Sequence, residues 1–347
     1  MPIINDYQQV KEIYAEAVEK GVSLPVFCAE DRETLEAILA AAKEYGDEIG
    51  IEDLPIIPAW TTRYPVRSQM KLVTACGDPI VGTKLMLSDL KVFSEDPSPY
   101  RKLKIMPHLD HAFPWLDWDV LTGFADQVAS VMCDASEKPF EENIRLTAEY
   151  VEKVKGRVLV EGCVEEIFDT PGKMKNATTT VEKAVKFIKE TGVDIIVPNV
   201  GTEHRSVKET VKYDGKRSRE ISKAVGKILC LHGTSSVKTE YLSNLAQDGF
   251  VKVNIYTTLA VSGGQALARY VLKTLGNVLT REEIEEMIQK KILGQNIISS
   301  EFAHIVGEVK PKLEYVTNPL RRDVWFNTVK NRCMDFLKML NYSNYAK

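Results

Sequence analysis

Eight short apolar runs recur along this chain with amphipathic stretches between them, and that alternation restricts its fold more than any other feature. The runs fall at 24–28, 54–60, 104–110, 130–134, 157–161, 194–200, 227–232 and 251–256. Strands and helices in alternation are the pattern of parallel strands joined by crossover helices. Two connecting segments carry clear helix signals. ENIRLTAEYVEKVKG places Ile144, Ala148, Val151 and Val154 on one face, and TTTVEKAVKFIKETG opens on threonines suited to capping and closes on glycine. Both suit the outer ring of a (β/α)8 barrel, so one barrel domain over 1–347 is expected. The segment at about 61–101 exceeds a minimal barrel; its GDPIVGTKLMLSDLKVFSEDPSPY is rich in Pro, Gly and Ser and reads as a loop insertion after the second strand, over the barrel mouth. A helical C-terminal extension follows from about 275 to 347, broken at Pro311 and Pro319.

Composition narrows the function. The 347 residues are 44% hydrophobic and 27% charged, enough apolar material for a large core, and the net charge of -4 offers no basic field. Neither nucleic acid nor an anionic membrane surface has electrostatic support as a partner, so a small molecule is the default ligand. The six cysteines are widely spaced with no CxxC pair and read as buried, reduced thiols. MPIINDYQQVKEIYAEAVEKG is polar and helical in period, and no apolar run of about 18 residues follows. A cytoplasmic protein is expected.

Of five histidines, His111, His204 and His232 each lie just past the C-terminal end of an expected strand. In a barrel those ends converge on one face, where residues distant in sequence can share one ion. Taken singly, each reads as a hydrogen-bonded structural residue; three at equivalent positions favour catalytic zinc with an open fourth place. In KIMPHLDHA, Asp110 precedes His111 and could exchange a proton with a substrate hydroxyl, or could hold a histidine tautomer. His108 reads as structural. The turns LHGTSS and NIYTT follow the last two expected strands, and Gly233, Ser235 and Thr257 there could cradle a phosphate.

Over roughly 24–259 the chain resembles the class II fructose-bisphosphate and tagatose-bisphosphate aldolases. HLDHA is similar to the family's aspartate-histidine segment, VMCDASEKPFEENI to its next strand and helix start, and TGVDIIVPNVGTEH to its strand ending in Gly-Thr-x-His. KILCLHGTSS and VKVNIYTTL resemble its last two strands. The resemblance implies a metal-dependent lyase that reversibly cleaves a ketose (bis)phosphate or related sugar through a zinc-stabilised enediolate. It implies zinc on His111, His204 and His232, Asp110 moving the proton at the aldehyde-derived oxygen, Asn254 at the ketose-derived half, and phosphate on Gly233, Ser235 and Thr257. A monovalent cation nearby and a homodimer or homotetramer are further implications. Asp134 and Glu161 match acidic positions lining the metal site, a possible second metal position. Glu165 or Glu166, in EEIFDTPGKMKN, would protonate the enediolate carbon.

Departures concern the substrate. CAEDRE and PAWTTRY replace the family's usual turns after the first two strands, and Arg205 stands where glycine commonly follows the second zinc histidine, directed to an anion or to solvent. A sugar-phosphate epimerase or isomerase would need the same enediolate without bond cleavage. A non-catalytic sugar-binding barrel would have little need for Asp110 beside three ligands.

Overall fold

The computed structural model describes residues 3–65, 68–167, 178–204, 206, 211, 213–298, 315 and 319–347. Strands β1 (Leu24–Cys28) and β2 (Pro55–Thr61) come first, and a two-residue β3 (Lys104–Ile105) leads into β4 (His108–Ala112). Then follow β5 (Ser130–Cys133), β6 (Leu159–Cys163), β7 (Ile195–Val197), β8 (Leu229–Leu231) and β9 (Phe250–Ile255). Neighbours pair in parallel in chain order, and β1 pairs with both β2 and β9, so eight strands close into a ring while β3 pairs with β2 and bridges to Ile3. This is the expected (β/α)8 barrel. The run 104–110, expected as one strand, is two, with Met106 and Pro107 between them; Pro107 has no N–H to give a ladder.

The helices are α1 (Tyr7–Lys20), α2 (Arg32–Ile49), α3 (Pro79–Phe93), α4 (Trp118–Gly123), α5 (Phe140–Val154), α6 (Val181–Thr191), α7 (Gly215–Val225) and α8 (Thr257–Lys273). As its sequence suggests, α6 is capped by Thr180, whose side chain accepts from the Lys183 N–H, and it ends at Gly192 with φ of 72°. The buried face of α5 differs from the apolar one read from sequence: Asn143, Ile144, Thr147, Tyr150 and Val154 are buried, whereas Ala148 and Val151 are half-buried. Asn143 draws that face inward by donating to the Cys163 carbonyl at 2.9 Å. The segment read as a loop insertion is helical over α3. Asp78 caps it, Pro79 opens it, and Gly82 lets it lie against Met70, whose carbonyl oxygen would stand 2.1 Å from an added Cβ.

Two compact units are present, Met1–Thr258 with Cys333–Lys347, and Leu259–Arg332. In the first, the C-terminal segment reaches the strands' N-terminal ends: Leu340 O accepts from Ser23 N at 3.3 Å, and the Tyr342 hydroxyl donates to Pro55 O at 2.8 Å. Phe336 meets Phe27 edge-on at 6.2 Å. In the second, α9 (Leu275–Val278) and α10 (Arg281–Gln289) bury Leu275 and Ile284 against Leu279, Ile288 and Leu293, and Thr280 with Glu283 forms a capping box. All six cysteines are free thiols; Cys76 is exposed, contrary to expectation, and the other five are buried. Among the described residues no helix is long and apolar enough to cross a membrane.

Candidate active site and metal centre

Strand β4 carries His108, Asp110 and His111, so His111 lies within the strand and not just past its end as expected. Alternation along a strand sends residues two apart to one face and the residue next to them to the other. His111 escapes that rule: its φ is 43°, and the pairing of β4 with β5 shifts register between Leu109 and Ala112. Its imidazole turns into the barrel mouth, where Nδ1–H donates to Asp134 Oδ2 at 2.7 Å. Asp134 Oδ1 accepts from the Ser136 N–H at 3.1 Å and hydroxyl at 2.7 Å, so the carboxylate is fixed from behind. Burial opposes charge on His111, but the carboxylates of Asp110 and Asp134 outweigh it and raise the imidazole to about 9.

His232 directly follows β8 and donates Nε2–H to Glu161 Oε1 at 3.0 Å. The other oxygen of Glu161 accepts from Lys252 Nζ at 2.6 Å, and the same ammonium lies 3.0 Å from His108 Nε2. Glu161, Lys252 and His108 are 0% exposed. Burial by itself would raise the Glu161 pKa, yet the Lys252 charge and His232 hold the carboxyl well below the usual range. Burial and the Lys252 charge together push His108 down to about 3, leaving it neutral, as its structural reading requires.

His204 arrives from the loop after β7. Asn199 Oδ1 accepts from Gly201 N at 3.0 Å, and Glu203 N donates to Ser236 Oγ at 3.1 Å. The Ser236 hydroxyl in turn donates to Gly233 O at 2.7 Å, so one serine ties together the loops that bear His204 and His232. Gly233 has φ of 70°, and an added Cβ there would stand 2.8 Å from the Glu203 carbonyl oxygen; only glycine suits this close passage.

The three rings pack with centroids 4.9, 5.2 and 5.7 Å apart, and one ligand atom from each of His111, His204 and His232 lies within 4.8 Å of the others. That spacing suits three ligands of one shared ion. Carboxylates occupy Nδ1 of His111 and Nε2 of His232, which leaves the opposite nitrogen of each ring for metal. Three imidazole donors suit zinc or a similar transition metal better than calcium or magnesium. The residues present therefore fit the expected ion. Asp134 and Glu161 each engage a different histidine; Glu161 also groups with Cys230 and His232 within 4.8 Å.

Asp110, from β4, sits beside the histidines with 5% exposure. Its Oδ1 accepts from Asn254 Nδ2 at 2.8 Å, and the Cys28 thiol lies 3.5 Å from Oδ2. Burial opposes its ionisation, but the neighbouring histidines and Lys252 lower its pKa to about 2. Asp110 and Asn254 line one cavity with all three histidines, Gly233, Ser235 and Thr257, so the sequence-expected residues of these loops converge. Thr257 opens α8, and its cavity position puts the N–H end of a helix near the Gly233 turn.

The glutamate pair separates. Glu165 accepts from the Thr179 hydroxyl at 2.6 Å and pairs with Lys183, whereas Glu166 lines a second cavity shared with His111, His204 and His232. Arg205 lies outside the described residues. Three contributors escaped the sequence reading: Tyr64, stacked on His111 at 4.8 Å; Ser236; and Lys252. Lys252 did leave a signal, because a lysine two residues before Asn254 in the apolar run FVKVNI shares the inward face and demands a buried counter-charge.

A family model for class II fructose-bisphosphate aldolase matches residues 8–299 of the chain. Among solved structures, the fructose-bisphosphate aldolase Fba from Campylobacter jejuni superimposes with a TM-score of 0.74 at 18% identity, over 99% of this chain and 96% of that one. The YdjI aldolase from Escherichia coli K12 gives 0.63 at 20% identity, over 97% and 98%. A putative fructose-1,6-bisphosphate aldolase from Coccidioides immitis gives 0.63 at 19%, over 99% and 98%. At such identities these three likenesses speak for the fold.

Proposed function

Because the chain belongs to the class II fructose-bisphosphate aldolase family, we propose that it is a zinc-dependent aldehyde-lyase that reversibly cleaves a phosphorylated ketose. The observation that carries this reading is the meeting of Asp110 with His111, His204 and His232 in one cavity. A binding protein would need the histidines and the anion cradle but not an ionised carboxylate held against them.

When bound by the three imidazoles, zinc supplies Lewis-acid polarisation of the ketose carbonyl and neutralises charge that develops on its oxygen during bond breaking. The remaining work falls to the protein. Asp110, held by Asn254 at 2.8 Å, removes the proton from the hydroxyl beyond the scissile bond, so that an aldehyde can leave. Asn254 fixes that carboxylate and contacts the ketose-derived half. Gly233, Ser235 and the start of α8 at Thr257 hold the phosphate through N–H and hydroxyl groups. Glu166 returns a proton to the carbon left by cleavage, while Glu165 keeps its contacts with Thr179 and Lys183. The family reading also favours a cytoplasmic homo-oligomer.

A panel of ketose phosphates, fructose and tagatose bisphosphates included, tests the proposal by release of triose or other aldehyde. Cleavage lost to a chelator and restored by zinc is the expected result. Epimerised sugar without aldehyde release would replace the proposal with an epimerase. No turnover of any member despite bound zinc would refute a phosphorylated-ketose substrate.

A further inference from the structure

We propose that Lys252 is a positioning residue for the metal site, its ammonium fixing Glu161 so that His232 presents the correct nitrogen to the ion. The inference rests on the zinc reading above. Lys252 lies on β9 and bonds to Glu161 and His108; it acts through Glu161, at 2.6 Å, and Glu161 acts on His232, at 3.0 Å.

The geometry leaves little freedom at either end. An ammonium can only donate, so His108 Nε2, 3.0 Å away, must accept. His108 then carries its proton on Nδ1 and donates to the Ser130 hydroxyl at 2.8 Å. The cation is thereby held from one side by a neutral imidazole and from the other by the carboxylate, with 0% exposure of all three residues. Without Lys252, Glu161 would be a buried anion whose second oxygen has lost its donor. It would then shift toward another donor, and that shift releases His232 Nε2–H. A freed His232 ring can rotate or change tautomer, and it no longer offers Nδ1 in register with His111 and His204. Carboxylates placed behind metal-binding histidines have this orienting effect; here the orienting carboxylate needs its own buried cation.

The test compares zinc affinity, measured by competition with a chromophoric chelator, in the purified full chain, in Lys252→Met, in Glu161→Gln and in the double variant. Circular dichroism monitors the fold. In Lys252→Met, zinc affinity should fall about 10- to 100-fold, the range found when residues behind metal ligands are removed. The double variant, which removes both charges and so avoids an orphaned ion, should fold and bind zinc no better than Glu161→Gln alone, because the two residues act in series. Cobalt(II) substitution should also give Lys252→Met a visible spectrum altered from that of the parent chain. Parent-like zinc affinity in folded Lys252→Met, or in the double variant if the single one fails to fold, overturns the proposal. Failure of the unaltered chain to bind zinc overturns the zinc reading itself and this inference with it.

Discussion

Asp110 and His111 are consecutive in the chain, yet both side chains line one cavity, because the backbone turns to a φ of 43° at His111 just where β4 loses register with β5. Positive φ is uncommon for a residue with a Cβ, and at sites of chemistry such conformations are kept by the surrounding contacts. Here those contacts are the 2.7 Å bond to Asp134 and the stacked ring of Tyr64. The outcome is an ionised carboxylate and the proposed metal ligand one peptide apart.

Asp110→Asn keeps the shape and loses the base. Zinc content should match the parent chain, while the rate of ketose cleavage falls by about 100-fold or more, the usual worth of a positioned proton acceptor. Steady-state cleavage alongside metal analysis checks this; a rate within a factor of three would remove Asp110 from the proton-transfer role.

Removing the support behind a ligand should affect the ion first. In Asp134→Ala, His111 loses the acceptor that fixes its ring, and zinc affinity should drop by about 10- to 100-fold. Excess zinc should recover much of the activity, as read by titration of the metal-free variant. If saturating zinc recovers none, the carboxylate does more than orient His111.

The two loop glutamates can be told apart by isotope exchange. Glu166 lines the cavity beside the histidines, whereas Glu165 is held by Thr179 and Lys183. Glu166→Gln should slow exchange of the carbon-bound proton of the ketose-derived product with deuterated water by about 100-fold, and Glu165→Gln should leave it within a few-fold. Equal effects would deny Glu166 its distinct part.

Gly233→Ala should damage both fold and phosphate binding. The new methyl meets the Glu203 backbone at 2.8–2.9 Å, in a φ that L-residues rarely adopt. A loss of about 1–3 kcal/mol is expected from the strain, read as a lowered Tm, together with a raised KM for the phosphorylated substrate. An unchanged KM would place the phosphate elsewhere.

Much of this was legible in the sequence because strand ends of a barrel converge whatever the chain between them. The alternation of apolar runs located the ring, and His204 and His232, beyond β7 and β8, needed only that topology to meet. His111 did not follow from strand alternation; its entry into the site depends on a local backbone turn, which side-chain periodicity does not encode. Ser236 was hidden because it works through backbone groups, the Glu203 N–H of another loop and the Gly233 carbonyl of its own turn. Asn143 and Thr147 were passed over on α5 because a search for apolar faces discounts polar residues that are buried with partners.

Residues 333–347 matter to the order in which the barrel can be completed. From Cys333 onward they lie against the beginnings of β1 and β2, with Leu340 bonded to Ser23, Tyr342 to Pro55, and Asn344 to Lys20 at 2.7 Å. A ribosome exposes Ser23 and Pro55 long before this segment. The nascent barrel must therefore wait with that end unsealed until residues 333–347 have emerged.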